Sequence, residues 1–265
     1  MPTRGGGGDV WFKAAVPSLS HDVGVTCLLA RLRPDLVLAP LAVDLDRRWM
    51  LLPDGGERLR ELLERERHPR RWLELAPLYA ELQRAAAPMT EELLGLDTPD
   101  YRLVHVPALA RSLGTTLGLE PPPPDRLAAL CDELASNGLP ETIQHDDLHD
   151  GNVFVRRDGR YAVFDWGDSC VAHPFASLTV LLDGIEYAFE LAPRDPDVER
   201  IRDAYLEPWG RPAELARAVE IARCLGRLTR ALAWWRFSDE GAASSSEGAV
   251  GNYEAFSRAA RELVR

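Results

Sequence analysis

"HDDLHDGNVFVRRDGRYAVFDWGD", residues 145 to 168, decides how the rest of the chain is read. Two short β-rich runs, NVFV and YAVFD, flank an Asp158-Gly159 turn, the pattern of a hairpin. The polar cluster of residues 145 to 152 stands at the hairpin's entrance and Asp165 at its exit. Strand pairing therefore brings Asn152 and Asp165 to one end. Two chemistries compete for these residues. Were 145 to 149 a strand, His145, Asp147 and His149 would project to one side as the metal ligands of a hydrolase. The other histidines, His21, His68, His105 and His173, are scattered singly and supply no obvious further ligands. Phosphoryl transfer accounts for more positions. His145, Asp147 and Asn152 have the spacing H-x-D-x-x-x-x-N, and Asp165-Trp166-Gly167 follows as D-aromatic-G. Such a transfer needs a carboxylate to orient the acceptor hydroxyl and take its proton, a part that falls to Asp147. It also needs Mg2+ across the phosphates of ATP, and the Asn152 carbonyl and Asp165 carboxylate are suitable oxygen ligands.

Outward from this stretch the chain divides unevenly. DVWFKAAV (9 to 16) has strand composition, behind a GGGG stretch with no evident strand on its N-terminal side. A helix follows from about His21 to Leu32, stopped by Arg33-Pro34. LVLAPLAVD and RRWMLLP read as two strands around Asp44 to Asp46. The expected organisation is a small N-terminal lobe over 1–53, a hinge at Asp54-Gly55-Gly56, and a C-terminal lobe over 57–265. Leucines and aromatics recur there at helical spacing almost throughout, interrupted by the hairpin. One helix is expected to be capped by Asp125 and stopped by Asn137-Gly138, and EGAASSSEG (240 to 248) reads as a loop before a last helix over about 252 to 264. The fold class expected is α+β, with a small β-rich lobe and a larger helical lobe carrying the catalytic hairpin.

Composition excludes several alternatives. A net charge of −11 lacks the basic face that nucleic acid requires, and would suit a cationic acceptor. No run of about 18 apolar residues signals a membrane span, and no apolar N-terminal segment signals export. Cys27, Cys131, Cys170 and Cys224 are far apart, without CxxC pairing, which fits a reducing cytoplasm. Of 31 basic residues, Lys13 is the single lysine.

HDDLHDGNVFV…YAVFDWGD resembles the aminoglycoside phosphotransferase family, whose loop usually reads H-G-D-L-H-x-G-N and whose metal aspartate sits in a D-W or D-F pair. The resemblance runs from about Val10 to the end, including the YAELQ helix, and implies a two-lobed fold like that of protein kinases, with ATP and Mg2+ as cofactors and a small-molecule hydroxyl as acceptor. It also implies that Lys13, in VWFK, holds the α and β phosphates, paired with an acid on the next helix. Asp22 is available there, one methylene shorter than the family's glutamate. Three departures stand out. Asp146 replaces the family's glycine, and its charge beside Asp147 favours an exposed position. The family has two strands ahead of the lysine strand, whereas only twelve residues precede Lys13, which leaves a degenerate nucleotide-binding protein without catalysis as the alternative. Ser177 stands where the family often has aspartate. His145 is expected to bond neighbouring backbone, His149 to pack beside the loop, and His173 to start a helix. Trp235 shares a helix face with Leu225, Leu228 and Leu232, favouring core packing over an aromatic cage.

Overall fold

The structure, a computed structural model, describes residues 2–5, 8–237 and 243–263. It has an α+β fold. β1 (Pro2–Gly5), β2 (Gly8–Ala14), α1 (Asp22–Leu32), β3 (Ala42–Asp44) and β4 (Trp49–Pro53) form the N-terminal part, its antiparallel sheet ordered β1-β2-β4-β3. A strand does therefore precede the glycine stretch: β1 pairs with β2 from Pro2↔Trp11 to Gly5↔Gly8. The long strand expected over 36–44 is shorter, because Pro40 has no N–H to give to a ladder. Leu36 to Leu38 turn instead toward the hairpin, where Val37 bridges Val163.

Pro53 is followed by Asp54-Gly55-Gly56, where Gly56 has φ +100°, open to glycine at no steric cost. A short strand, β5 (Glu57–Arg58), then interrupts the expected helical run. Helices α2 (Leu59–Glu66), α3 (Trp72–Ala86), α4 (Thr90–Leu94), α5 (Val106–Leu117) and α6 (Pro124–Ala135) lead to β6 (Thr142–Gln144). The hairpin is β7 (Val153–Val155) and β8 (Tyr161–Val163), with Gly159 at φ +82° in its turn. β9 (Cys170–Ala172) follows, then α7 (Leu178–Ala188), α8 (Pro196–Leu206), α9 (Pro212–Arg236) and α10 (Ala243–Glu262). β5 joins the hairpin in the order β5-β7-β8, and β6 pairs with β9. Two boundaries differ from expectation. α6 starts on Pro124, whose fixed φ suits a first helical residue, so Asp125 is not the cap. Residues 243–248 belong to α10 rather than a loop, while 240–242 lie outside the described residues. Packing overrides their weak helix propensity: a Cβ on Gly248 would come within 2.7 Å of the Trp234 ring of α9.

Among the described residues no helix is long and apolar enough to cross a membrane. The four cysteines are free. One continuous core, with Trp72, Tyr79, Phe175, Tyr205 and Phe256 fully buried, ties the helices to β6 and the hairpin. Leu225 and Leu228 are buried in it, and Leu232 and Trp235 pack against it.

A buried polar network connects this core to the loop after β6. Gln83 Nε2 donates to Ile143 O at 2.9 Å and to Gln144 Oε1 at 3.1 Å, and Gln83 Oε1 accepts from Tyr205 Oη at 2.6 Å. Ser177 uses its hydroxyl on Gln144 and Tyr79, and Tyr79 Oη accepts from the His145 N–H at 2.9 Å. Gln83→Leu keeps the volume but leaves the Ile143 carbonyl without this donor. The expected cost is about 2 kcal/mol, read as a melting temperature lower by roughly 5 °C. An unchanged melting curve would show that the network does not stabilise the fold.

Candidate active site

Lys13 lies on β2 opposite Met50 of β4, and its ammonium reaches across to two carboxylates. Nζ is 2.5 Å from Asp22 Oδ2 and 2.7 Å from Asp165 Oδ1. Asp22 therefore does reach Lys13 despite its shorter side chain, because it sits in the first turn of α1, buried beside the 3-10 turn at Trp166–Asp168. The Trp166 N–H donates to Asp22 Oδ1 at 3.2 Å, as does the Thr26 hydroxyl at 3.4 Å. Burial works against the charge on Lys13, but Asp22 and Asp165 outweigh it and raise its pKa, so the ammonium stays charged. A cleft of about 370 Å³ opens here, lined by Trp11, Lys13, Leu52, Phe154, Phe164 and Asp165. Phe154 and Phe164 stack at 4.3 Å between centroids, offering a flat apolar surface for a base.

The loop from His145 to Asn152 is not a strand. Asp146 has φ +56°, which breaks the alternation that a three-ligand metal face needs. His145 Nε2 is spent on Phe164 O at 2.9 Å, and its ring lies 4.7 Å from that of Trp166. It is architectural. Asp147 carries two sets of partners. Oδ1 accepts from Arg230 Nη2 at 2.7 Å, and Oδ2 accepts from Asn152 Nδ2 at 2.9 Å and faces His149 Nε2 at 3.3 Å. Burial would raise the Asp147 pKa, but the His149 hydrogen bond and the Arg230 charge hold it below the usual carboxylate value. Asn152 also donates Nδ2 to Asp147 O at 2.9 Å, and its side-chain oxygen Oδ1 makes no hydrogen bond among the described residues. The Phe164 N–H donates to Asn152 O at 3.1 Å, which sets Asn152 against the residue before Asp165. Asp165 is 43% exposed, so its second oxygen remains accessible. The free Asn152 Oδ1 and this accessible carboxylate fit a hard cation that takes its remaining ligands from phosphates and water.

His149 does more than pack beside the loop. Its Nδ1 accepts from the Gly151 N–H at 2.9 Å, so the neutral ring carries its proton on Nε2, toward Asp147. The hydrogen bond to Asp147, followed by the Asp150 carboxylate, favours the charged ring and pushes its pKa up to about 9, whereas the Gly151 N–H on Nδ1 suits the neutral form. His173, by contrast, is buried, accepts from the Phe175 N–H at 3.3 Å and starts a 3-10 turn.

One residue escaped the reading of the sequence and another was misplaced by it. Arg230 of α9 joins Asp147 to Asp168, at 2.8 Å, and also donates to Asp146 O at 3.1 Å. One arginine among thirty carries no mark of this role, although Trp234 one helical turn on, with its ring 5.2 Å from the guanidinium, is a partial signal. Asp146 is buried, not exposed: Oδ1 accepts from the Thr229 hydroxyl at 2.8 Å and Oδ2 is buried without a partner. The signal was the family's glycine, since a glycine there implies the left-handed backbone that turns this side chain inward.

Burial pushes the Asp146 carboxyl up to about 7, with Arg230 and the Thr229 hydroxyl opposing. The native state thus holds a proton that the unfolded chain releases above its ordinary value of 3.8. The sign follows: stability is full below about pH 4, falls as pH rises toward 7, and levels off above, a loss on the order of 4 kcal/mol. Asp146→Asn keeps the shape and has no proton to lose. Urea unfolding at several pH values should show a much flatter decline for the variant and greater stability than the wild type at pH 8. Equal slopes in both proteins would show that Asp146 does not titrate with folding.

A second groove, of about 650 Å³, is lined by Arg60, His149, Asp150, Asp183, Arg230 and Trp234, among others. His149 and Arg230 touch Asp147.

Comparison with known proteins bears on the fold and the family. Among solved structures, the chain is similar to a choline kinase from Streptococcus pneumoniae, at 13% identity and TM-score 0.65 over 99% of this chain and 88% of the other. It is similar to an ethanolamine kinase from Plasmodium vivax, at 12% identity and TM-score 0.66 over 96% and 77% of the two chains. A macrolide 2'-phosphotransferase from Brachybacterium faecium aligns at 20% identity and TM-score 0.56 over 93% and 85%. No curated protein sequence matches the chain. These likenesses show the fold, and residues 21–217 match the profile of the phosphotransferase enzyme family. With that match over most of its length, the loop and hairpin of residues 145 to 168 within it, the chain belongs to the phosphotransferase enzyme family.

Proposed function

We propose that this small-molecule phosphotransferase moves the γ-phosphoryl group of ATP to a hydroxyl of its acceptor, in the cytoplasm. Asp147 orients that hydroxyl and takes its proton. Asn152 and Asp165 hold Mg2+, which when bound neutralises charge on the phosphates. Lys13 orders the phosphates, and Asp22 positions Lys13. The observation that carries the reading is the set of contacts on Asp147: His149 and Arg230, which line the second groove, and Asn152, whose backbone carbonyl accepts from the N–H of Phe164 in the aromatic Lys13 cleft. Support for the nucleotide comes from the choline kinase neighbour, which is also known in complex with AMP. The binding-only alternative rests on the short segment ahead of Lys13; one strand is present there, and Lys13 pairs with Asp22 at 2.5 Å.

The test is acceptor-dependent formation of ADP, with a product heavier by one phosphoryl group, from Mg-ATP and a panel of hydroxyl compounds. Thermal stabilisation by Mg-ATP without product from any acceptor would favour binding alone. No response to nucleotide would end both readings.

A further inference from the structure

Arg230 reaches both loops of the site from a helix that belongs to neither. Its Nη2 donates to Asp147 Oδ1 at 2.7 Å, and its Nη1 donates to Asp168 Oδ2 at 2.8 Å and to Asp146 O at 3.1 Å. Asp168 ends the 3-10 turn that Asp165 opens, so one side chain spans from the base to the segment of the proposed metal ligand. Both Nη groups thus have partners inside the protein, and the Trp234 ring lies 5.2 Å from the guanidinium carbon. Asp168 is 14% exposed, and its Oδ1 is buried without a hydrogen bond among the described residues. Such a carboxylate is costly unless its cation stays in place. The turn itself is closed without Arg230, by the Trp166 N–H on Asp22 at 3.2 Å and the Ser169 N–H on Trp166 O at 3.1 Å. What the Arg230–Asp168 pair adds is the link to Asp147.

The helix that carries Arg230 is itself held closely. One turn earlier, a Cβ on Gly226 would come within 2.2 Å of Thr179 Oγ1 and 2.7 Å of Ala176 O, so α9 crosses the start of α7 with no room for a side chain. Arg223 and Arg227 of α9 hold Asp183 of α7 at 2.5 Å and 3.0 Å, and the Thr229 hydroxyl donates to Asp146 Oδ1 at 2.8 Å. Asp147 stands in a loop, and the last torsion of an aspartate is broad, with no sharp staggered wells to fix its plane. Arg230 on Oδ1 and Asn152 on Oδ2 together supply that restraint. A planar guanidinium can hold two carboxylates in set directions, which the point charge of an ammonium cannot. Resting on the phosphotransferase reading, we propose that Arg230 is a positioning residue for the transfer: anchored by Asp168, it fixes the Asp147 carboxylate relative to the loop of Asp165, and it acts on the chemical step, not on binding of nucleotide or acceptor.

A double-mutant cycle of Arg230→Ala and Asp168→Ala tests this, with Arg230→Lys beside it, each assayed with Mg-ATP and an acceptor that the wild type uses. Arg230→Ala should lower kcat about a hundredfold, the order of loss for a reacting group misplaced by an ångström, while KM for ATP and for the acceptor stays within about threefold. Asp168→Ala leaves Arg230 on Asp147 but removes its anchor, and should lower kcat about tenfold. The double variant should be no slower than Arg230→Ala, because the two changes break one unit. Arg230→Lys keeps the charge and should recover thermal stability more fully than rate. Stabilisation by Mg-ATP should persist in every variant. A loss confined to KM for the acceptor would make Arg230 a binding residue, losses that multiply in the double variant would separate it from Asp168, and a wild-type kcat in Arg230→Lys would show that charge alone suffices; each overturns the proposal and leaves phosphoryl transfer intact. Should Arg230→Ala fail to fold, Asp168→Ala decides: a kcat within about twofold of wild type overturns the anchoring. Absence of product and of any nucleotide response in the wild type counts against the phosphotransferase reading itself.

Discussion

Asp147→Asn should lower kcat by about three orders of magnitude, within the range of roughly 10²–10⁴ for removal of a general base. The substitution acts twice. Chemically, the amide cannot take the acceptor's proton. Geometrically, both oxygens of Asp147 are met by donors, Arg230 on Oδ1 and Asn152 with His149 on Oδ2. An amide NH2 in either place would face another donor, so the side chain loses the orientation that points it at the hydroxyl. The Lys13 cleft is lined by none of these residues, and stabilisation by Mg-ATP should persist in the variant. Steady-state rates alongside nucleotide melting shifts check both parts. A variant with kcat within tenfold of wild type would remove Asp147 from the base's role.

The difference between what was legible in the sequence and what was not follows from how the parts are held. His145, Asp147, Asn152 and Asp165 could be read because one continuous segment positions them: the loop and hairpin fix their separation whatever packs around them. The hairpin itself was legible from Asp158-Gly159 and the β-rich runs on either side. Lys13 stood out through composition alone. Asp22 was harder, since its side-chain length argued against a contact that burial of the N-terminus of α1 makes possible. Arg230 could not be found, because its contacts to Asp147 and Asp168 depend on where α9 lies across the fold. Residues 243–248 were misread for a related reason: a serine-rich stretch has little intrinsic preference for helix, and its place against α9 decides its conformation. Sequence periodicity reports local preference, and a helix that packs tightly on its neighbour can contradict it.

The second large effect is expected at Asp165. Its backbone is left-handed, φ 66° and ψ 69°, a conformation that costs a non-glycine residue about 1–2 kcal/mol, with Asn and Asp best able to adopt it. Asp165→Ala therefore mixes loss of the carboxylate with backbone strain, and Asp165→Asn is the cleaner variant because it keeps both shape and local conformation. Asn retains an oxygen for Lys13 but brings no negative charge to the cation. If Asp165 is a Mg2+ ligand, kcat/KM should fall by about a thousandfold at limiting Mg2+, equivalent to several kcal/mol of charge stabilisation, and part of the loss should return as Mg2+ is raised. If Asp165 acted only by anchoring the ammonium at 2.7 Å, Asp165→Asn would mimic Lys13→Ala: both would raise KM for ATP, and the Mg2+ dependence would stay that of the wild type. Titration of the rate with Mg2+ at fixed ATP distinguishes these outcomes. An unchanged half-saturating Mg2+ concentration in Asp165→Asn would rule out the carboxylate as a metal ligand. Lys13 bridges Asp165 and the buried Asp22, so it can retain one carboxylate when the other turns to a cation. That arrangement predicts that nucleotide and Mg2+ bind cooperatively in the wild type and nearly independently in Lys13→Ala.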